Sequence, residues 1–236
     1  MIPFSLREWV EGITAVVFLH GCNFRCPWCH NLSSLVLSPP PTPISVEACI
    51  EGLLREKDWI DGVVISGGEP TLQKDFCLAL IEELRAQRLK VMMDTNGSNP
   101  ETIRELIDKV DEVRLDLKAP LSDPKRYSEV TGTNDQEILD KVLHSLHLLS
   151  VSGKGRYRTT VLPGYQYKDV EEIAEYLSSI GIPLDFYSLN HFSFKGTQLA
   201  SKEQMAGEVA GEEEVRAWEK TLRKRAIGTS TCQSNR

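Results

Sequence analysis

The sequence predicts an α/β fold, a partial (β/α)6 barrel of parallel strands, on three observations. First, a β-rich run followed by a longer helical run recurs six times, and strands that alternate with helices pair in parallel through right-handed crossovers. Second, the residues least suited to a core or a surface helix fall directly after strands: clustered cysteines, a Gly-Gly-Glu-Pro run and lone aspartates. In parallel α/β folds the carboxyl ends of the strands share one face, and that face holds the active site. Third, 236 residues at 41% hydrophobic content suit one domain with ample core. Six units are too few for the closed eight-stranded form.

The elements are expected as follows. The first strand is Thr14–Leu19, and the cysteine loop follows it. Ser38-Pro39-Pro40-Pro41-Thr42-Pro43 reads as a stiff extended spacer. A helix starts near Ser45, with Glu47 as an acid in its first turn. The second strand is Gly62–Ser66, with a helix from about Lys74 to Arg88; the third is Lys90–Asp94, with a helix Pro100–Val110. Asn99 is placed to cap that helix and Pro100 to open its first turn. The fourth strand, Glu112–Lys118, leads through a looser stretch to a helix from about Asp135 to Leu149. The fifth, Arg156–Leu162, precedes a helix Asp169–Ile180. The sixth, Leu184–Asn190, precedes a helix at 212–224. One domain is expected over 1–227, with a core at about 14–196, and a flexible tail at 228–236.

A formal net charge of −7 argues against a nucleic-acid-binding surface. The one basic run, Arg223-Lys224-Arg225, closes a helix that opens on Glu212-Glu213-Glu214, so both ends complement the helix dipole. Glu212/Arg216 and Glu219/Arg223 add i,i+4 pairs. No apolar run approaches the ~20 residues that span a bilayer, and the first residues lack a secretory pattern. Cys49 and Cys77 lie in apolar helical stretches, where a free thiol acts as a small hydrophobe. Cys232 lies in the polar tail. A reducing, cytoplasmic setting is expected, without membrane or nucleic-acid partners.

Five of the six units aim polar groups at one mouth: Cys22–Cys29, Gly67-Gly68-Glu69-Pro70, Asp94-Thr95-Asn96-Gly97, Asp116 with Lys118, and Asn190-His191. Cys22, Cys26 and Cys29 are spaced C-x3-C-x2-C, and no fourth cysteine is near. Iron–sulfur clusters take about one thiolate per iron, so three thiolates on a four-iron cube leave one iron open to a small molecule. Two plainer readings compete. A Cys3His zinc site would need His30, whose adjacency to Cys29 strains joint ligation, and a Cys26–Cys29 redox pair would leave Cys22 idle. Gly67-Gly68 bares a backbone edge, and Glu69 could accept hydrogen bonds from an ammonium. Ser66 reads as a strand end. His144 and His147 are i,i+3 on a helix with no third ligand, and read as surface imidazoles.

From about Thr14 to Gly196, the cysteine motif with its aromatic Trp28 and the Gly-Gly-Glu-Pro run resemble the radical S-adenosylmethionine superfamily. The resemblance implies that Cys22, Cys26 and Cys29 hold a [4Fe–4S] cluster whose open iron is chelated by the amino and carboxylate groups of S-adenosyl-L-methionine. It also implies that Gly67, Gly68 and Glu69 lie against the methionine amino group, with Trp28 beside the adenine. A nearer resemblance, to glycyl-radical-enzyme activases, rests on Cys29-His30-Asn31, Asp94-Thr95-Asn96-Gly97, Asp116-Leu117-Lys118 and Arg158-Thr159-Thr160-Val161-Leu162-Pro163-Gly164. By it, Asp94, Thr95 and Asp116 would form a monovalent-cation site, and Lys118 and Arg158 would lie near the cofactor carboxylate and ribose. His191 aligns with a ribose-contacting histidine, although Asn-His-Phe-Ser-Phe-Lys-Gly departs from the family's Pro-aromatic-His-x-x-Gly.

The chain lacks the cysteine-rich insertion of several activases, so one cluster is expected. Its compact form most resembles activators of anaerobic ribonucleoside-triphosphate reductase. The implied chemistry is one-electron reduction of the sulfonium, fed by a flavodoxin or ferredoxin-type donor. This yields methionine and a 5′-deoxyadenosyl radical, which takes hydrogen from a glycine of a partner glycyl radical enzyme. The alternatives are an activase of the pyruvate formate-lyase type and radical chemistry on a small molecule or peptide. An electron carrier or a dithiol oxidoreductase fits less well, because neither needs a convergent mouth.

Overall fold

The computed structural model describes residues 2–5, 12–31, 43–194 and 207–230. It shows a seven-stranded sheet whose spatial order follows the chain: β1 (Ile2–Ser5), β2 (Thr14–Leu19), β3 (Gly62–Gly67), β4 (Lys90–Thr95), β5 (Glu112–Asp116), β6 (Gly155–Val161) and β7 (Tyr187–His191). Strands β2 to β7 are all parallel, which gives the six expected units. β1 and β7 occupy opposite edges, so the sheet forms an open arc.

Between the strands run α1 (Val46–Leu54), α2 (Lys74–Ala86), α3 (Pro100–Leu106), α4 (Pro124–Thr131), α5 (Ile138–Ser152) and α6 (Tyr167–Ser179), and α7 (Glu212–Ser230) follows β7. Local chemistry sets several boundaries. Ser45 caps α1 by accepting from the Ala48 amide at 3.2 Å. Asp123 caps α4, Pro124 fills its first position, and Gly132 closes it in the left-handed region at φ 61°.

One strand was not anticipated: β1 pairs antiparallel with β2 and lies outside the six-unit pattern. Three expectations need correction. The looser stretch after β5 contains α4. Asn99 sits at the start of α3, but its side chain donates to Thr71 Oγ1 at 2.8 Å and does not cap the helix. α7 continues to Ser230, past 224 and into the expected tail. The proline spacer up to Thr42, Lys195–Ala206 and Cys232 lie outside the described residues.

The main core lies between sheet and helices and includes Val63, Ile65, Leu80, Ile81, Leu84 and Leu146, all fully buried. A separate small cluster, Val16, Val64 and Met92, fills the inner face of β2–β4. On β5 and β6 the faces alternate. Val113, Leu115, Tyr157, Thr159 and Val161 are buried, whereas Glu112, Arg114, Asp116, Arg156 and Arg158 are half-buried. The inner face is therefore apolar on one side of the arc and charged on the other. Beyond β6, the Gly164 amide donates to Glu208 O at 2.9 Å, which draws 207–210 against the strand end.

Candidate active site

The cysteine loop follows β2 and is pinned mainly by its own backbone. Arg25 donates from Nη1 to the carbonyls of Cys22 (2.6 Å) and Phe24 (2.7 Å). Its amide donates to Thr131 O at 2.8 Å. Phe24 is an apolar anchor, 1% exposed. Trp28 Nε1 donates to Val130 O at 3.2 Å, so the end of α4 supports two points of the loop. A Cβ on Gly132 would lie 2.3 Å from Arg25 O, and only glycine permits that approach. The thiol sulfurs of Cys22 and Cys29 each accept a backbone amide at 3.4 Å, from Phe24 and Asn31. Burial raises the Cys22 thiol above its ordinary range and pushes that of Cys26 up to about 12.

The second wall is the turn after β3. Gly67 adopts φ 120°, and a Cβ there would lie 2.3 Å from both the N and the O of Leu19. Gly68 N donates to Leu19 O (2.9 Å) and Glu69 N to Gly21 O (2.8 Å), which staples this turn to the start of the cysteine loop. The Glu69 side chain differs from expectation. It is fully buried and accepts four hydrogen bonds: from Thr71 N (3.1 Å), Thr71 Oγ1 (2.6 Å), Thr95 Oγ1 (2.7 Å) and Asn96 N (2.7 Å). Burial pushes its carboxyl upward, and the donors oppose that. Glu69 thus ties β3 to the end of β4, and the backbone of Gly67-Gly68 is the edge left facing the pocket.

The third wall is ionic. Asp116 Oδ1 meets Arg158 Nε at 2.6 Å, and Oδ2 meets Lys118 Nζ at 2.7 Å. Burial alone would raise the Asp116 carboxyl, but Arg158 and Lys118 outweigh it and hold the group well below the usual carboxylate range. Desolvation would lower Lys118, yet Asp116 keeps it above its ordinary range. Lys118 Nζ also stands 5.0 Å from the centre of the Trp28 ring, a cation–π distance that joins this wall to the cysteine loop. Asp94 meets Arg114 Nε at 3.2 Å and Arg158 Nη2 at 3.6 Å, and accepts from Ser66 Oγ at 3.1 Å.

These walls enclose a cavity of about 190 Å³. Of the residues singled out from sequence, Cys22, Cys26, Cys29 and Trp28 line it, as do Gly67, Gly68 and Glu69, and then Asp94, Thr95, Asp116, Lys118 and Arg158. His191 does not: it is exposed at the end of β7. His30 lines the cavity instead, with Nε2 2.5 Å from Ser193 O and its ring 5.5 Å from that of Phe192. Ser66, read from sequence as a strand end, also lines the cavity, as do Asn31 and Asn96, neither of which had an individual role from sequence. Asn96 Nδ2 donates to Asn23 Oδ1 (3.1 Å) and approaches Cys22 Sγ at 3.9 Å. Arg114 was missed although two-residue alternation puts it on the face of Asp116.

The expected monovalent-cation site takes another form. The Thr95 hydroxyl donates to Glu69 and accepts from Gly97 N at 3.1 Å. Side-chain cations already stand against both aspartates, although Asp94 Oδ1 accepts no hydrogen bond. A free ion about 4 Å from a guanidinium would meet ~4 kcal/mol of repulsion at an effective dielectric of ~20, and a similar attraction from a carboxylate as near.

Comparison with known proteins agrees with this geometry. The model of the radical SAM superfamily matches residues 16–177. A protein of Methanocaldococcus jannaschii, whose name provisionally assigns it to the glycyl-radical enzyme activating enzymes, is 31% identical over 201 residues, covering 83% of this chain and 79% of the relative. A pyruvate formate-lyase-activating enzyme of Staphylococcus aureus is 28% identical over 182 residues, covering 72% and 70%. Among solved structures, SuiB of Streptococcus suis bound to S-adenosylmethionine superposes with a TM-score of 0.68 at 17% identity, covering 92% of this chain and 48% of that one. A radical SAM methyltransferase from Sphaerobacter thermophilus gives 0.68 at 16%, covering 92% and 65%. The chain spans about half the length of the first of these structures, and at such identities both speak for the fold alone.

The chain belongs to the radical SAM superfamily, an enzyme class that works with a [4Fe–4S] cluster and S-adenosylmethionine. The residues present fit both groups. Three free thiols line one cavity, while no three described His, Cys, Asp or Glu side chains converge on a single ion. Among the described residues, no helix is long and apolar enough to cross a membrane.

Proposed function

We propose that this chain is an activase that installs a glycyl radical on a partner enzyme. The observation that carries the reading is one cavity in which three thiols and the Gly67-Gly68 backbone face the Lys118–Asp116–Arg158 ion network. The names of the two relatives support it. When bound, the cluster and S-adenosylmethionine supply reductive carbon–sulfur cleavage, which gives methionine and a 5′-deoxyadenosyl radical able to take a glycine hydrogen.

The protein's own residues bind and orient. Cys22, Cys26 and Cys29 would anchor three irons and leave the fourth free. The Gly67-Gly68 carbonyl edge would accept from the methionine ammonium, and Lys118 and Arg158 would receive the carboxylate and ribose. Trp28, held by Val130, would flank the adenine. Asp94 and Asp116 aim these cations and do not bind the cofactor themselves. The arc is open between β7 and the opposite edge, where Phe18 on β2 and Asn190 and His191 on β7 are exposed. A partner's glycine loop would enter there.

Within this class, the partner we assign is anaerobic ribonucleoside-triphosphate reductase, with a flavodoxin or ferredoxin-type donor, because the compact chain carries a single cysteine motif. The Staphylococcus aureus relative favours a second reading, a partner of the pyruvate formate-lyase type. Anaerobically reconstituted protein mixed with each enzyme and a chemical reductant distinguishes them by electron paramagnetic resonance. A glycyl doublet on the reductase alone supports the first reading, and a doublet on the lyase alone replaces it with the second. No doublet on either, with S-adenosylmethionine still cleaved, would overturn the activase assignment.

A further inference from the structure

We propose that Arg114 is a built-in counter-ion standing where an exchangeable monovalent cation would otherwise sit, so that S-adenosylmethionine binding in this chain is independent of sodium and potassium. The inference goes beyond the activase reading and holds whatever the partner is.

The argument starts from strand register. Asp94 on β4 lies opposite Arg114 on β5, and Asp116 on β5 lies opposite Arg158 on β6. Side chains directly opposite on one face lie close enough to interact. The sheet therefore places Asp94 and Arg114 within reach of one another. Register also puts Arg114 opposite Arg156, a repulsive placement. Arg156 is drawn away by Glu112, 3.4 Å from its Nε, and lies over the Phe186 ring at 4.1 Å. Arg114 is left directed at Asp94, with both side chains largely buried, 13% and 10% exposed.

The oxygen inventory agrees. A monovalent ion needs several oxygens at once. Asp94 Oδ2, both Asp116 oxygens and Thr95 Oγ1 already meet Ser66, Arg158, Lys118 and Gly97, and Asp94 Oδ1, which accepts no hydrogen bond, is faced by the Arg114 guanidinium at 3.2 Å as an ion pair. Two aspartates face three side-chain cations. This ion network therefore already carries one positive charge beyond its two carboxylates, which is the charge a small cation would bring. A tethered guanidinium supplies the same charge as a bound ion and cannot dissociate.

The test measures two quantities in sodium, potassium and choline chloride at equal ionic strength. One is the thermal midpoint of the iron-free protein. The other is the dissociation constant for S-adenosylmethionine of the reconstituted protein, by calorimetry. The wild type should show the same midpoint and affinity in all three salts. Arg114→Met should open the site: affinity in sodium or potassium should exceed that in choline by about fivefold or more, and the iron-free midpoint should rise with the small cation. Arg114→Lys should restore indifference. Should the methionine variant not fold, Arg114→Gln repeats the test with a polar side chain. The proposal fails if the wild type itself binds about fivefold more weakly in choline, or if a folded Arg114 variant without the charge stays indifferent. The iron-free midpoint needs neither cluster nor partner, so it reports on this proposal even if the activase reading fails.

Discussion

The two sides of the mouth are built from different materials. On the β2–β3 side, backbone does the work: glycine at Gly67 lets strand ends touch, amides staple one turn to the next, and Glu69 is consumed inside the protein. On the β4–β6 side, side-chain charges do it, in a continuous chain from Arg114 through Asp94, Arg158 and Asp116 to Lys118. The difference matches the guests. A cubic cluster and an ammonium need closely placed soft donors and carbonyls, which demand a rigid backbone. A carboxylate needs surplus positive charge, which aspartates can aim but not cancel. The first side should fail abruptly when its shape changes, and the second in a graded and pH-dependent way.

The sharpest break is on the first side. Cys26→Ala should abolish formation of a cofactor-responsive cluster and all 5′-deoxyadenosine production, read by iron content and chromatography; retained cleavage would remove Cys26 from the ligand set. Next comes Gly67→Ala. Its Cβ would meet Leu19 N and O at 2.3 Å on a backbone already at φ 120°, so a loss of roughly 3 kcal/mol is expected in denaturant titration, together with cofactor binding.

On the charged side, Asp116→Asn should cost roughly 2 kcal/mol, less than a deeply buried pair because the carboxylate is 22% exposed. Its pH signature is the more telling readout. The folded group titrates below its unfolded value, so its contribution is complete above the ordinary Asp pKa of ~3.9 and is lost as pH falls further. The iron-free wild type should lose stability below about pH 4, and Asp116→Asn should flatten that acid limb. An unchanged limb would mean the pair is not formed. The smallest effect is at the joint between the two sides. Trp28→Phe removes the bond to Val130 O and should cost ~1 kcal/mol, with the ring, and most of the cofactor affinity, retained.

Much of this was legible before any coordinates. The recurring strand–helix pattern places β2 to β7 within a few residues, and the strand-end residues do meet in one cavity, because parallel strands have one carboxyl face. α4 escaped notice for a local reason. Its eight residues bury only Tyr127 and Thr131, too few to show helical periodicity, although Asp123, Pro124 and Gly132 mark both its ends. β1 lies outside the repeat and joins by an antiparallel edge. Glu69 was read, beside the glycine pair, as an acceptor for a ligand ammonium; four protein donors claim its carboxylate.

Spacing along the chain determined that three thiols and a glycine pair would share one mouth, since the distance between residues a few positions apart, and the face to which a strand delivers its end, are local properties. Which charges neutralise one another was decided by the tertiary structure alone. That Asp94 is answered by Arg114, twenty residues away, and that His30 reaches the cavity while His191 does not, depends on cross-strand register and on the path after β7. Neither leaves a periodic trace in the sequence, because both arise only when separate strands are laid side by side.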